Sequence, residues 1–226
     1  GNVSGGCRSV SAVSTRPFIF HLMGAMLWFA AIDLSSAAIV YFQPPDPIRL
    51  GASVPDIDWD IDSDDNVDFV LRSFVTSAVD IVPITGNRVT AFLGEGAVRN
   101  LEAGSIIERD LRQAFTEWME ASVSPGGTVF GIQLQNCFAA AGVTCSGDFV
   151  GRVGYFGLEF EIDGAVHYGW ARAQGEEETT TTLIFDWAYE SVPGRGIRAG
   201  AIPEPSAAAL LLVALASLCG ARRRPA

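Results

Sequence analysis

The sequence predicts an all-β chain, an antiparallel β-sandwich of roughly eight to ten strands with a jelly-roll-like arrangement. Three observations predict this fold. The 226 residues include 24 glycines and 11 prolines, which divide the chain by frequent turns. Between the turns, short segments rich in Val, Ile, Thr and aromatic residues alternate apolar and polar positions, as half-buried strands do. The dipeptide Asp163-Gly164 separates two such segments, which is a strong hairpin signal.

Composition narrows the class of protein. The formal net charge is −11, and all 15 cationic residues are Arg. An acidic surface repels phosphate, so a nucleic-acid partner is not expected. The hydrophobic fraction of 49% is too high for an acidic disordered chain, which could not bury a core.

Residues 1–38 have the organisation of a secretory signal. Arg16 precedes an apolar run at 18–31, and the small residues Ser35-Ser36-Ala37-Ala38 follow it. We expect a signal helix here and cleavage after Ala38. A signal anchor that is never cut, or a buried core helix, is the alternative.

The exported domain is expected to span residues 39–200. Its first strand, Ile39–Phe42, must end before the prolines of 43–47, which cannot continue a central ladder. Acidic and apolar residues alternate strictly over 56–62, so that Trp59 shares the inward phase of its apolar neighbours. Further strands are predicted at 67–75, 78–84, 87–93 and 128–135.

Between these strands, residues 108–121 interrupt the alternation. Leu111, Phe115, Trp118 and Met119 recur at three- and four-residue spacing, which is compatible with an amphipathic helix across the mouth of the sandwich. A long loop with buried aromatic residues is the alternative. After it, strands at 155–162 and 165–173 form the Asp163-Gly164 hairpin, and a further strand is expected at 179–189.

The last 26 residues, 201–226, form a tripartite segment. Pro203-Glu204-Pro205 precedes an apolar run at 207–221, and Arg222, Arg223 and Arg224 follow. The run is shorter than the roughly 20 residues that span a bilayer comfortably, but terminal Arg side chains can extend to the interface. The positive-inside rule places the Arg cluster in the cytoplasm and the main domain outside.

This segment resembles the PEP-CTERM sorting signal of Gram-negative bacteria, with its three parts in the same order. The resemblance implies export and processing by an exosortase, a membrane cysteine protease-transpeptidase. By that resemblance Pro203, Glu204 and Pro205 are the recognition motif, and Arg222–Arg224 stop transfer through the inner membrane. The closing strands also look similar to those of many PEP-CTERM exported domains: His167-Tyr168-Gly169-Trp170, then Phe185-Asp186-Trp187-Ala188-Tyr189-Glu190 and Pro193-Gly194.

Two functions from different classes follow. The first is a non-enzymatic exported protein of the cell envelope or extracellular matrix, with a structural or adhesive role. The second is a carbohydrate-binding module for extracellular polysaccharide, in which exposed aromatic residues stack on sugar rings. Calcium is its candidate cofactor. The candidates for stacking are Trp59, Trp118, Trp170, Trp187 and Tyr189.

The acidic run 60–68 fits a calcium loop, the one cofactor the sequence suggests. Asp60, Asp62, Asp64, Asn66 and Asp68 place oxygen ligands at alternate positions, and Ca²⁺ takes six to eight such ligands. Asp65 stands where a Gly normally allows the sharp turn, and Leu71 replaces the final Glu of an EF-hand. A solvated turn that keeps a sheet edge soluble is the alternative.

Cysteine and histidine usage suggests no catalytic centre. Cys137 and Cys145, eight residues apart, are expected to form a disulfide in an oxidising compartment. His167 is expected to lie on the surface of a strand, without a nucleophile motif near it in sequence. Asp186 and Glu190 could act as a glycosidase pair, but acidic residues are abundant in this chain. We therefore predict that the protein is not an enzyme.

Overall fold

In the computed structural model, residues 1, 38–74, 78–84, 86–138 and 144–204 are described. They contain sixteen strands and no helix. Nine of the strands have four residues or more. The strands are β1 Ile39–Phe42, β2 Ile48–Leu50, β3 Ile57–Trp59, β4 Phe69–Ser73, β5 Ala78–Pro83, β6 Arg88–Phe92, β7 Ile106–Ile107, β8 Thr116–Met119, β9 Ser122–Val123, β10 Val129–Phe130, β11 Ile132–Phe138, β12 Thr144–Ser146, β13 Val153–Ile162, β14 Ala165–Gly175, β15 Thr182–Glu190 and β16 Ile197–Arg198.

Two large antiparallel sheets form the body of the domain. The seven-stranded sheet has the order β1-β15-β14-β13-β6-β8, and β2 also pairs with β15. The five-stranded sheet has the order β12-β11-β5-β4-β3. Two-stranded ribbons, β9–β10 and β7–β16, complete the architecture. The prediction of an all-β antiparallel chain is confirmed.

The main core lies between the two large sheets. Trp59, Leu71 and Ile81 of the five-stranded sheet belong to the same buried cluster as Phe156 and Leu158 of the seven-stranded sheet. Because side chains of a strand alternate between faces, the inward prediction for Trp59 follows from the phase of the alternation. It is confirmed, since Trp59 is only 3% exposed.

A second buried cluster covers the other face of the seven-stranded sheet. Trp170 of β14 and Ala188 of β15 lie in it, together with Ile107 of β7 and Ile197 of β16. Ile39 of β1, at the start of the domain, packs against the same cluster. The middle of this sheet is therefore buried on both faces.

The central hairpin is the one that the sequence predicts. β13 and β14 pair in register from Val153↔Gln174 to Ile162↔Ala165. Asp163 and Gly164 have φ values of 53° and 76°, and both positions of a two-residue I′ turn require positive φ.

The helix considered for residues 108–121 is not formed. The chain instead runs as a loop to β8, which pairs with β6 at the edge of the seven-stranded sheet. Trp118 and Met119 are neighbours on this strand and pack against opposite clusters, Met119 on the main core and Trp118 on the second one. Phe115, which the helical spacing would bury, is 75% exposed at φ 58°. An open edge of β6 that offers hydrogen bonds therefore outweighs the helical spacing.

The strand predicted at 56–62 is shorter than expected. It pairs with β4 only over Ile57, Asp58 and Trp59 and then leaves the sheet. Ile61 lies beyond the strand but is still fully buried. The chain leaves the ladder because Asp60 binds backbone amides of the following turn.

The predicted signal helix and C-terminal helix lie outside the described residues. Among the residues that are described, no helix has the length and apolar character needed to cross a membrane.

A disulfide joins β11 and β12 at one edge of the five-stranded sheet. Cys137 of β11 and Cys145 of β12 face each other in register, with an S–S distance of 2.07 Å. Next to it, the buried Gln135 side chain donates to the carbonyl oxygens of Glu176 and Thr179, both at 2.7 Å. The disulfide fixes β12 to β11, and Gln135 holds the turn that precedes β15.

We expect the double substitution Cys137→Ser/Cys145→Ser to lower the free energy of unfolding by about 2–3 kcal/mol, because the unfolded chain loses a cross-link. This corresponds to roughly 5–10 °C in Tm, measured by circular dichroism or calorimetry. A reducing agent should lower the Tm of the wild type similarly and leave the double variant unchanged. Equal Tm values for wild type and variant would contradict the prediction.

Candidate functional site

The acidic loop, residues 60–68, connects β3 to β4. The backbone N–H of Asp68 donates to the carbonyl oxygen of Trp59 at 3.1 Å, which closes the loop at its base. Ser63 and Asp65 adopt φ values of 67° and 69°. Asp tolerates this left-handed region better than most residues, which is why the turn forms without the Gly of a calcium loop.

The carboxylate of Asp60 organises the turn. It accepts hydrogen bonds from the backbone N–H groups of Ser63 at 2.6 Å, Asp64 at 3.3 Å and Asp65 at 2.9 Å. Hydrogen bonds of this kind, from a short acidic side chain to nearby amides, compete with strand pairing. The first residue of the loop, Asp60, therefore holds the turn through its own side chain.

Asp68 fixes the other end of the loop from inside the protein. Its side chain is buried, and one carboxylate oxygen accepts the backbone N–H of Ile61 at 2.8 Å. The side-chain amide of Asn87, just before β6, donates to the carbonyl oxygen of Asp68 at 3.0 Å and to its carboxylate at 3.3 Å. Asn87 is a residue that sequence reasoning missed, because no local motif connects it to the loop.

The structure brings together only part of the predicted ligand set. Carboxylate oxygens of Asp60, Asp62 and Asp68 lie within 4.8 Å of one another. Asp64 is not in this group, since its carboxylate accepts the backbone N–H of Asn66 at 2.8 Å and its side-chain amide at 2.9 Å. A calcium site at Asp60, Asp62, Asp64, Asn66 and Asp68 stays a prediction, and three of its four carboxylates lie close together.

Asp62 has the most strongly shifted carboxyl of the loop, first because of burial and then because of neighbouring negative charges. Burial, together with the negative charges of Asp64 and Asp68, raises the pKa of the Asp62 carboxyl to about 6. Burial also raises the pKa of Asp68, whereas hydrogen bonds from Asn66 lower the pKa of Asp64. A group of three close carboxylates can relieve this repulsion by holding a proton or a hard cation.

The loop is tied to the opposite sheet. The indole N–H of Trp187 on β15 donates to the carbonyl oxygen of Ile61 at 3.1 Å, across the main core. The acidic loop also acts electrostatically on Tyr189 of the same strand. Burial, and then the charges of Asp62, Asp60 and Asp68, raise the pKa of the Tyr189 hydroxyl. The position of the loop therefore depends on the packing of both sheets.

The segment that the sequence predicts to be a sorting signal begins where the folded domain ends. Ala201 is held on both sides: its N–H donates to the carbonyl oxygen of Arg198 at 2.9 Å, and its carbonyl oxygen accepts the indole N–H of Trp170 at 3.0 Å. Ile202 is 57% exposed, and Pro203 and Glu204 are also exposed. Pro205 and Arg222–Arg224 lie outside the described residues.

The sequence predicted His167 at the surface of a strand, and this prediction is wrong. His167 is 4% exposed, between the rings of Phe160 and Tyr189, and its Nδ1 is 2.8 Å from the carbonyl oxygen of Glu190. The strand carries it to a sheet face that other elements cover, and alternation alone does not reveal that cover. The contact engages His167 in holding β14 to β15.

Asp186 is likewise engaged in structure. Arg172 donates to both of its carboxylate oxygens, and the Tyr41 hydroxyl donates to one of them at 2.9 Å. Asp186 is 3% exposed. A buried carboxylate held by three donors joins β1, β14 and β15.

The aromatic residues named for sugar stacking do not form an exposed platform. Trp118 is half-buried and packs against the second cluster. The other four are buried: Trp59, Trp170, Trp187 and Tyr189. Their rings pack on one another, as for Trp59 and Trp187 at a centroid distance of 5.3 Å.

Comparison with known proteins identifies no relative. No protein-family model, no curated protein and no solved structure matches the chain.

We expect Asp62→Asn to stabilise the protein near pH 7. The folded-state pKa of about 6 lies above the ordinary value of 3.8, so ionisation of Asp62 destabilises the folded state as pH rises from about 4 to about 6. Asn removes this charge. The gain at pH 7 should be about 1 kcal/mol after a discount for solvent screening, because most of the group faces water.

Thermal unfolding at pH 4 and pH 7 measures this effect. The gain should be several times smaller at pH 4, where Asp62 is protonated in the folded state and only partly ionised in the unfolded chain. Asp58→Asn is the matched control and should bring no gain, since Asp58 is exposed and is not among the charges that raise the pKa of Asp62. An equal gain from both variants, or a gain as large at pH 4 as at pH 7, would contradict the assignment.

The calcium prediction has a separate test. Calcium at about 10 mM exceeds the dissociation constants, up to roughly 10⁻³ M, of extracellular calcium modules. We expect it to raise the Tm of the wild type at pH 7 relative to sodium chloride of equal ionic strength. Asp62→Asn should abolish the rise. An unchanged Tm in the wild type would contradict the prediction that this loop binds calcium.

Proposed function

We propose that the protein is an exported component of the cell envelope or extracellular matrix, which an exosortase sorts through its C-terminal Pro203-Glu204-Pro205 motif. The partners in sorting are the exosortase and the inner membrane. One observation carries the proposal: a Pro-Glu-Pro motif, an apolar run and an Arg cluster follow one another at 203–224. The exposure of Pro203 and Glu204 supports it, because a protease needs an accessible, extended segment.

The start of the domain agrees with export. Ile39 is the first residue of β1 and pairs with Glu190 of β15. Cleavage after Ala38 would release a chain whose first residue is part of the seven-stranded sheet. The signal region at 1–38 could thus be removed without loss of a described strand.

The interior of the domain supports a structural or adhesive role over an enzymatic one. The large aromatic side chains are used for packing, and Asp186 and His167 are held in contacts between strands. The Cys137–Cys145 disulfide suits an oxidising compartment. We propose in addition that the two sheets form a jelly-roll-like sandwich, in which sequence-distant strands such as β6 and β13 pair.

The carbohydrate-binding alternative loses the support first found for it. It required exposed aromatic residues on one sheet, and the residues named for that purpose pack in the two clusters.

The first experiment is the intact mass of the protein recovered from its native envelope or medium. A species that begins near Ile39 and ends near Pro203 would support secretion and sorting together. A full-length mass would contradict both cleavages and would show that the Pro-Glu-Pro motif is not used as a sorting signal.

We expect Glu204→Ala to leave the C-terminal segment uncut and the protein in the membrane fraction. The folded domain should be unaffected, since Glu204 is exposed and lies beyond the last anchored residue, Ala201. Glu178→Ala, at another exposed glutamate, is the control and should be processed normally. Immunoblots of membrane and extracellular fractions measure the outcome, and normal processing of Glu204→Ala would overturn the sorting proposal.

A further inference from the structure

A cavity of about 620 Å³ opens beside the start of β13. Its volume lies within the range of small-molecule sites. Polar and charged side chains line it together with one aromatic residue: Arg99, Asn100, Glu102, Asp148, Arg152 and Tyr155. None of these residues belongs to the acidic loop or to the sorting segment.

Asp148 is the centre of the lining. Its carboxylate accepts the backbone N–H of Asn100 at 2.9 Å, a guanidinium N–H of Arg152 at 3.2 Å and one of Arg99 at 3.5 Å. Its carbonyl oxygen accepts the side-chain amide of Asn100 at 3.1 Å and Nε of Arg152 at 2.9 Å. The polar groups are therefore held in fixed positions before any ligand arrives.

Tyr155 is fixed in the same way. Its ring meets the buried Trp170 edge to face at a centroid distance of 5.4 Å. Its backbone N–H donates to the Asn100 side chain at 3.3 Å, and its carbonyl oxygen accepts the N–H of Leu101 at 2.6 Å. Only glycine fits at 200 beside this ring, since a Cβ there would lie 2.9 Å from the Tyr155 hydroxyl oxygen. An aromatic group held this firmly binds at little cost in entropy.

The charges of the lining balance. Arg99 and Arg152 contribute two positive charges, and Asp148 and Glu102 contribute two negative charges. The domain as a whole, residues 39–201, carries 24 acidic and 10 basic side chains, so that its net charge would repel a polyanion. A ligand without net charge fits both facts.

The donors and acceptors specify the ligand further. Arg and Asn offer N–H groups, and Asp, Glu and Asn offer oxygen atoms, all on planar side chains in one cavity. A hydroxyl group both donates and accepts, so adjacent hydroxyls on a ring can use both kinds of partner. A tyrosine ring beside them offers an apolar surface for the C–H face of a sugar.

Asp148 also lines a second cavity, of about 310 Å³. Its lining includes the polar side chains of Gln133, Asn136 and Ser146, the negative charge of Glu95 and the ring of Phe92. The side-chain oxygen of Asn136 is buried and has no hydrogen-bond partner among the described residues. Two cavities that share a lining residue suit a chain of sugar units better than a single small molecule.

We propose that this pair of cavities binds a neutral polysaccharide, with Arg152, Asn100 and Asp148 hydrogen-bonded to ring hydroxyls and Tyr155 against a sugar face. The binding residues differ from the tryptophans that the sequence suggested. The proposal is independent of sorting, because the cavities lie in the folded domain and binding is measured without any processing step.

Affinity electrophoresis of the full chain tests the proposal. Native gels containing dextran, galactomannan or arabinoxylan present neutral polysaccharides, and a gel containing alginate presents a polyanion. We expect retardation in at least one neutral gel. Arg152→Ala should weaken that binding about tenfold, as expected for the loss of one hydrogen bond from a charged group.

Arg112→Ala is the matched control. Arg152 and Arg112 both pair with an acidic residue four positions earlier, and their side chains are 65% and 74% exposed. Arg112 does not line either cavity. Equal Tm values for the two variants verify that both fold. Retardation that Arg112→Ala keeps and Arg152→Ala loses supports the site; no retardation in any neutral gel, equal binding by both variants, or retardation by alginate alone overturns it.

Discussion

The burial of the seven-stranded sheet on both faces is the constraint on which the rest of the domain depends. Along β15, Trp187 and Tyr189 pack into the main core, while Ala188 between them packs into the second cluster. A sheet buried on one side could leave its other face to water, but this one carries Trp170 there and must be covered. The cover comes from both ends of the domain: β1 and its Tyr41 at the start, β16 and Ala199 at the end. The domain is therefore complete only when its first and last residues are in place.

This constraint decides where the functional segments can lie. Because Ala201 is bound by Trp170, the chain becomes free only at Ile202, immediately before the Pro-Glu-Pro motif. The same ring of Trp170 fixes Tyr155 beside the proposed saccharide cavity. On the opposite face, Trp187 reaches Ile61 and holds the acidic loop. Trp170 and Trp187 are therefore not a binding surface. From inside the domain they hold the C-terminal segment, Tyr155 and the acidic loop in place.

Much of the fold was predictable because it depends on local chemistry. The β13–β14 hairpin follows from alternation and from two residues that tolerate positive φ, and the end of β1 follows from the prolines after it. The helix considered at 108–121 was wrong for a physical reason: the spacing of apolar residues carries no information about which backbone partner is free. Here the free partner was the edge of β6, and Trp118 and Met119 were drawn to different clusters.

The sequence by itself determined the β class, the order of the longer strands, the acidic character of 60–68 and the tripartite C-terminal segment, since each depends on residues close together in the chain. Only the tertiary structure decided which side chains share a site. Asn87 reaches Asp68 across 19 positions, and Asp148 reaches Asn100 across 48. It also separated Asp64 from Asp60, Asp62 and Asp68, because a loop hydrogen-bonded to itself need not direct alternate residues to one point. Contacts between distant residues arise when sheets pack, and no spacing along the chain encodes that distance.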